Sequence, residues 1–97
     1  MKIRLTIEAR DEFDAALHYL LERSEYAADG FLDDLERTKA VLLQFPRDGA
    51  PVGKGVRKFT LSRYPYNLIY TVEGEEIRVY AIAHHKLKPR YWRSRVP

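Results

Sequence analysis

The sequence predicts an α+β fold of order β-α-α-β-β-β: a small curved antiparallel sheet that includes an N-terminal strand, with a helical hairpin packed on one face. Three observations lead there: period-2 alternation at the N-terminus, two successive apolar stripes at helical spacing, and three short runs rich in Val, Ile, Tyr, Phe and Thr after residue 55. Two packed layers around one core suit a chain of 97 residues, read as a single domain spanning 1–97.

Ile3, Leu5 and Ile7 alternate with Lys2, Arg4 and Thr6, the pattern of a strand with one buried face. From Glu8 the period changes. Ala9, Phe13, Ala16, Leu17, Leu20 and Leu21 recur at helical spacing, while Asp11, Glu12, Asp14 and Glu22 fall on the opposite, solvent-facing side. Ser24 is placed to cap a second helix, whose stripe of Phe31, Leu35, Thr38, Leu42 and Phe45 runs until Pro46 ends it. The Gly- and Pro-rich stretch from Arg47 to Gly55 reads as a surface loop. Val56–Ser62, Tyr66–Glu73 and Glu76–His85 then form a three-stranded antiparallel meander. In the last strand, alternation puts Ile77, Val79, Ala81 and Ala83 on one face and Arg78, Tyr80, Ile82 and His84 on the other.

Composition excludes several classes. There is no cysteine, hence no disulfide and no thiolate zinc site. Apolar runs are short, and the chain opens Met1-Lys2-Ile3-Arg4-Leu5, so neither a membrane span nor a secretory leader is expected and the cytoplasm is the expected compartment. A phosphate-cradling Gly-rich loop, a His-Glu-x-x-His pair and a Gly-x-Ser-x-Gly elbow are missing, and Ser24, Ser62 and Ser94 have no His and acid beside them. Adjacent His84 and His85 on a strand point to opposite faces and do not chelate one ion, so no metal and no cofactor are expected.

The net charge of +3 hides a division: residues 1–46 hold six bases and ten acids, residues 47–97 eleven bases and four acids. The last fourteen residues carry Lys86, Lys88, Arg90, Arg93 and Arg95 without one acid. Such a half is suited to an anionic partner, either nucleic acid or an acidic protein segment. Two candidate features stand out. Arg57 shares strand parity with core-facing Phe59 and Leu61. It either reaches an acid of the helices or lies in a sheet groove beside His85 and Lys86, offering a fork to phosphate or carboxylate; Lys58 points the other way and is the weaker candidate. The tail from His85 to Arg95 interleaves bases with Tyr91 and Trp92, a composition that stacks on nucleobases while holding phosphates, although both aromatics serve equally as anchors tying the C-terminus to the helices.

Taken together, the chain resembles the RelE/ParE family of bacterial toxins. The resemblance rests on the strand running into Ala9-Arg10-Asp11-Glu12, on Phe45-Pro46 closing the second helix, on Val56-Arg57, on Tyr66-Asn67-Leu68-Ile69-Tyr70, and on Ile82-Ala83-His84-His85 leading to Pro89-Arg90-Tyr91-Trp92-Arg93-Ser94-Arg95. The long hairpin and the Pro-x-Tyr-Trp ending are nearer the ParE, or plasmid-stabilisation, branch. That resemblance implies the toxin of a type II toxin-antitoxin system that inhibits DNA gyrase and is neutralised by a cognate antitoxin laying an amphipathic, acidic segment along it. Arg57, Lys88, Arg90, Tyr91, Trp92, Arg93 and Arg95 would be the target-binding surface. The RelE-like alternative is a ribosome-dependent endonuclease cutting mRNA by metal-free attack of the ribose 2′-hydroxyl, with Arg57, Lys86, His85 and Tyr91 as its site. There the lysines expected before Arg57 reduce to Lys54, with Lys58 just beyond. A third reading is a non-toxic nucleic-acid-binding module.

Overall fold

The structure, a computed structural model, describes residues 1–97. Its elements are β1 (Lys2–Leu5), α1 (Ile7–Arg23), α2 (Glu25–Gln44), β2 (Ala50–Gly53), β3 (Val56–Thr60), β4 (Tyr66–Glu73) and β5 (Glu76–His84), with a 3-10 turn at Arg93–Arg95. The strands form one sheet in the order β1-β5-β4-β3-β2; β1 runs parallel to β5 and every other pairing is antiparallel. The fold is α+β as expected, but the sheet is mixed and five-stranded rather than antiparallel throughout, because β1 lies parallel to β5.

The start of α1 is set by Thr6, whose hydroxyl accepts the Ala9 N–H at 3.2 Å. Ile7 thereby becomes the first helical residue. It does not continue the strand alternation and stays 78% exposed. Ser24 alone joins the helices: its N–H donates to the Leu20 carbonyl, and its side chain accepts from Ala27 N at 3.1 Å. Ala9, Ala16, Phe31, Leu35 and Leu42 pack on Tyr66, Leu68, Tyr70, Ile77, Val79 and Ile82, with Phe13, Leu17 and Leu20 at the margin. Leu21 lies one step past this stripe and Phe45 sits where the chain leaves the helix, so both remain exposed despite their spacing.

Two further features of the sheet depart from the sequence expectation. Part of the stretch read as loop forms the edge strand β2, paired with β3 around a turn that uses positive φ at Gly53 (+127°) and Gly55 (+80°). Pro51 is tolerated there because β2 has no neighbour on its outer side. In β5 the partners run from Val79 opposite Tyr70 to Ala81 opposite Ile69, leaving Tyr80 as an extra residue. That bulge reverses the alternation. Ile77, Val79 and Ile82 face the hairpin, while Ala81 and Ala83 join Val56, Ile69 and Trp92 on the other face.

Asp34 is the buried charged residue of the helical layer, with no exposed surface. Its carboxylate accepts the N–H groups of Ser62 (3.2 Å), Arg63 (2.8 Å) and Tyr64 (3.2 Å), fixing the β3–β4 connection to α2. Tyr64 closes the same contact by donating to the Ala27 carbonyl at 2.8 Å. Asp34→Ala leaves three backbone donors without a partner and is expected to cost about 3 kcal/mol, read as a lower denaturation midpoint at unchanged slope.

Candidate functional site

Past Leu5, β1 gives way to α1 while β5 continues, so the upper half of β5 has backbone groups with no strand beside them. Glu12 and Arg95 fill that place. Glu12 Oε1 accepts Ile82 N–H at 3.0 Å, and Arg95 donates to the Tyr80 carbonyl at 3.1 Å. The two side chains also pair with each other, Nη1 to Oε1 at 2.9 Å and Nη2 to Oε2 at 3.2 Å, and the Tyr91 hydroxyl donates to Glu12 Oε2. Burial, and then the Glu12 carboxylate, raise the Tyr91 pKa far above the usual phenol value, so it stays a donor. The sequence reading placed Glu12 on the solvent side; in the fold it is the point to which the C-terminal tail is tied.

This knot and Trp92 lay the tail across the sheet face opposite the hairpin. Trp92 is 4% exposed, packed on Val56, Ile69, Ala81 and Ala83. Between tail and sheet lies a cleft of about 450 Å³, lined by Lys58, Thr60, Asn67, His85, Lys88 and Arg90. At its base the Thr60 hydroxyl donates to Asn67 Oδ1 at 2.8 Å, and His85 Nε2 meets the same oxygen at 3.1 Å. With that oxygen as acceptor, Nε2 is the donor of this contact, and in the neutral ring Nδ1 is left to accept. No group of three His, Asp or Glu side chains gathers in a metal-holding set.

The expected site residues do not all meet here. Arg57 lies on the hairpin side and donates from Nη1 to the carbonyls of Gly49 (2.8 Å) and Arg47 (3.1 Å), bracing the chain after α2 together with Tyr70, whose hydroxyl accepts Gly49 N–H at 3.0 Å. It neither reaches a helix acid nor shares a groove with His85 and Lys86. Lys58 does line the cleft, as its opposite parity implies. Tyr91 is tied to α1 through Glu12, as the anchoring reading has it; Trp92 also anchors the tail, but to the sheet face away from the helices, and Arg95, expected on the target-binding surface, has its guanidinium occupied by Glu12. Lys88 and Arg90 line the cleft, whereas Lys86 is exposed and outside the lining set. Arg93 lies with Arg90 over Gly53. His84 and His85 point to opposite faces, His84 edge-on to Tyr66 with ring centroids 5.0 Å apart. Thr60 and Asn67, polar residues on the parity away from the hairpin, are the members that sequence reasoning missed.

Two checks follow from this geometry. Glu12→Ala strands the Arg95 guanidinium and the Ile82 N–H and is expected to cost about 3 kcal/mol, while Tyr91→Phe costs about 1 kcal/mol; equilibrium unfolding measures both. His84 has its pKa lowered from 6.5 by burial, and then by Lys86 and His85. The unfolded chain therefore takes up a proton that the folded one resists, and stability falls as the pH drops below about 6.5. In His84→Gln, unfolding midpoints across that range lose this component.

The comparisons agree with the architecture. Residues 3–89 match the family described as ParE toxin of type II toxin-antitoxin system, parDE. The match ends before Tyr91, Trp92 and Arg95. Among solved structures, the chain is similar to one titled "Chromosomal ParDE TA system from P. aeruginosa", at 28% identity and a TM-score of 0.71, covering 87% of this chain and 95% of that one. No curated protein matches the chain. The chain belongs to the ParE toxin family, and is thus the toxin half of a type II toxin-antitoxin pair whose other half is an antitoxin.

Proposed function

We propose that this toxin acts in the cytoplasm on DNA gyrase, and that its antitoxin silences it by occupying the edge of the sheet beside the helical hairpin. Membership of the ParE family over residues 3–89 carries the first part. The dispersal of the nuclease set favours gyrase over the ribosome: Arg57 is engaged by two carbonyls on one face, Tyr91 by Glu12, and His85 stands apart on the other face. Phosphoryl-transfer chemistry needs such groups converging on one phosphate, and here two of the four are already committed to holding the fold. No helix is long and apolar enough to cross a membrane, which is consistent with a target in the cytoplasm.

The antitoxin reading is supported by a second cleft, of about 410 Å³, where Ile3, Leu5, Phe13 and Leu35 form an apolar floor between β1 and the helices. Lys2, Arg4, Arg10 and Lys39 surround it against one acid, Glu36. Arg4 and Lys39 pair with Glu76 and Glu36, while Lys2 and Arg10 have no carboxylate partner. The outer edge of β1 is also free of any neighbouring strand. An apolar floor, unneutralised cations and an open edge suit an amphipathic, acidic segment that orders as it binds.

Induction in a bacterium, followed by pulse labelling, tests the target. DNA synthesis is expected to fail first, and the purified toxin to inhibit gyrase supercoiling. Early arrest of protein synthesis, with mRNA cut at codon spacing and supercoiling unaffected, would refute the gyrase reading. For the antitoxin, a Lys2→Glu/Arg10→Glu double variant is expected to stay toxic while its antitoxin affinity drops at least about tenfold, measured by calorimetry.

A further inference from the structure

The cleft on the open face, where Lys88 and Arg90 of the expected target-binding set lie, has a specific chemistry. No Asp or Glu lines it, whereas Lys58, Lys88 and Arg90 do, and none of these three makes a salt bridge. By contrast, Arg4, Arg78 and Arg95 are each paired with a glutamate. Next to the cleft, the guanidiniums of Arg90 and Arg93 gather over one backbone position: a methyl group added at Gly53 would lie 3.8 Å from Arg90 Nη1 and 3.9 Å from Arg93 Nη1. Two cations converging without a counter-charge repel one another, and an anion between them removes that cost. Arg90 is also the one non-glycine residue with positive φ, at +63°. The left-handed backbone is strained for an arginine, and such strain collects where a side chain must be aimed.

Beyond the cations, the base of the cleft is equipped to read a flat polar ring. Asn67 Oδ1 is saturated by Thr60 and His85, which leaves the Asn67 amide N–H groups as donors and His85 Nδ1 as an acceptor, beside an exposed imidazole face. A volume of about 450 Å³ is ample for one nucleotide. A simple carboxylate peptide would use the arginines and leave the Asn67 and His85 pair idle. We infer that this cleft binds single-stranded nucleic acid, with backbone phosphates held by Lys58 and the Arg90–Arg93 pair and a base seated against Asn67 and His85. The inference is independent of gyrase as the target.

Fluorescence anisotropy of the full-length chain with short labelled single strands, DNA and RNA in separate arms and at several salt concentrations, tests it. Both strands are expected to bind, and tighter binding of RNA would place its 2′-hydroxyl within reach of Asn67. Lys58→Ala and the Arg90→Ala/Arg93→Ala pair are expected to weaken binding roughly tenfold and to reduce the salt slope by about 0.7 for each charge removed. Asn67→Ala is expected to weaken binding with the slope unchanged. Arg23→Ala, which removes a cation stacked on Tyr19 at the far end of α1, serves as the charge control and leaves binding intact. The inference is overturned if polyglutamate binds as tightly as either strand, if Arg23→Ala loses as much affinity as Lys58→Ala, or if the cleft variants, with unchanged melting midpoints, bind like the parent.

Discussion

The placement of the C-terminal tail depends on Glu12. A strand that outruns its neighbour exposes a row of backbone groups, and in most sheets water or another strand meets them. Here one glutamate of α1 accepts from Ile82 and one arginine of the tail donates to Tyr80, so a side-chain pair takes the place of the missing backbone ladder. Both side chains are about one-fifth exposed, buried enough that leaving either alone would be costly. Helix α1, strand β5 and the C-terminal tail meet at this one carboxylate through Ile82, Tyr91 and Arg95, and without it the Arg95 bond to the Tyr80 carbonyl would be the remaining polar tie between the last turn and the sheet.

The same contact explains how a chain with an acidic front and a basic back keeps its charge division after folding. Only two ion pairs join the halves, Arg4 with Glu76 and Arg95 with Glu12. The others lie within a half: His18 with Glu22, Lys39 with Glu36, Arg78 with Glu73 and Glu76. The remaining bases of the second half are left unneutralised, and folding the tail over the open face gathers Lys58, Lys88, Arg90 and Arg93 on one side of the molecule. A potential concentrated in this way is a property of the fold rather than of composition, since an extended tail would disperse it.

What could be read in the sequence was what is local. Helical stripes, the Ser24 cap and the three strands after residue 55 each follow from residues a few positions apart, and they stand in the structure. What could not be read depends on partners far along the chain. β2 exists because Ala50 to Gly53 pairs with β3, although its Gly and Pro content reads as loop. Asp34 and Glu12 look like ordinary acids on helix surfaces until the connection at Ser62 to Tyr64 and the tail, 83 residues away for Arg95, arrive to use them. Arg57 does carry its charge on the core-facing parity that the strand alternation assigns it. Its partners, the carbonyls of Arg47 and Gly49, are backbone atoms that no side-chain pattern announces.

The bulge at Tyr80 shows why one unreadable detail shifts the site. A regular β5 would keep Ala81 and Ala83 under the helices and turn Ile82 toward the tail. With the extra residue, Ile82 fills the helical core, and the two alanines floor the opposite face, where their small side chains make room for Trp92 to lie close to the sheet. Trp92 seated in that way holds one wall of the cleft in place, while Arg95 holds the end of the tail to the Tyr80 carbonyl at the bulge. Register, tail and cleft are thus a single arrangement: restoring the alternation of β5 would press a bulkier side chain against Trp92, unseat the tail, and scatter the cations that the tail assembles.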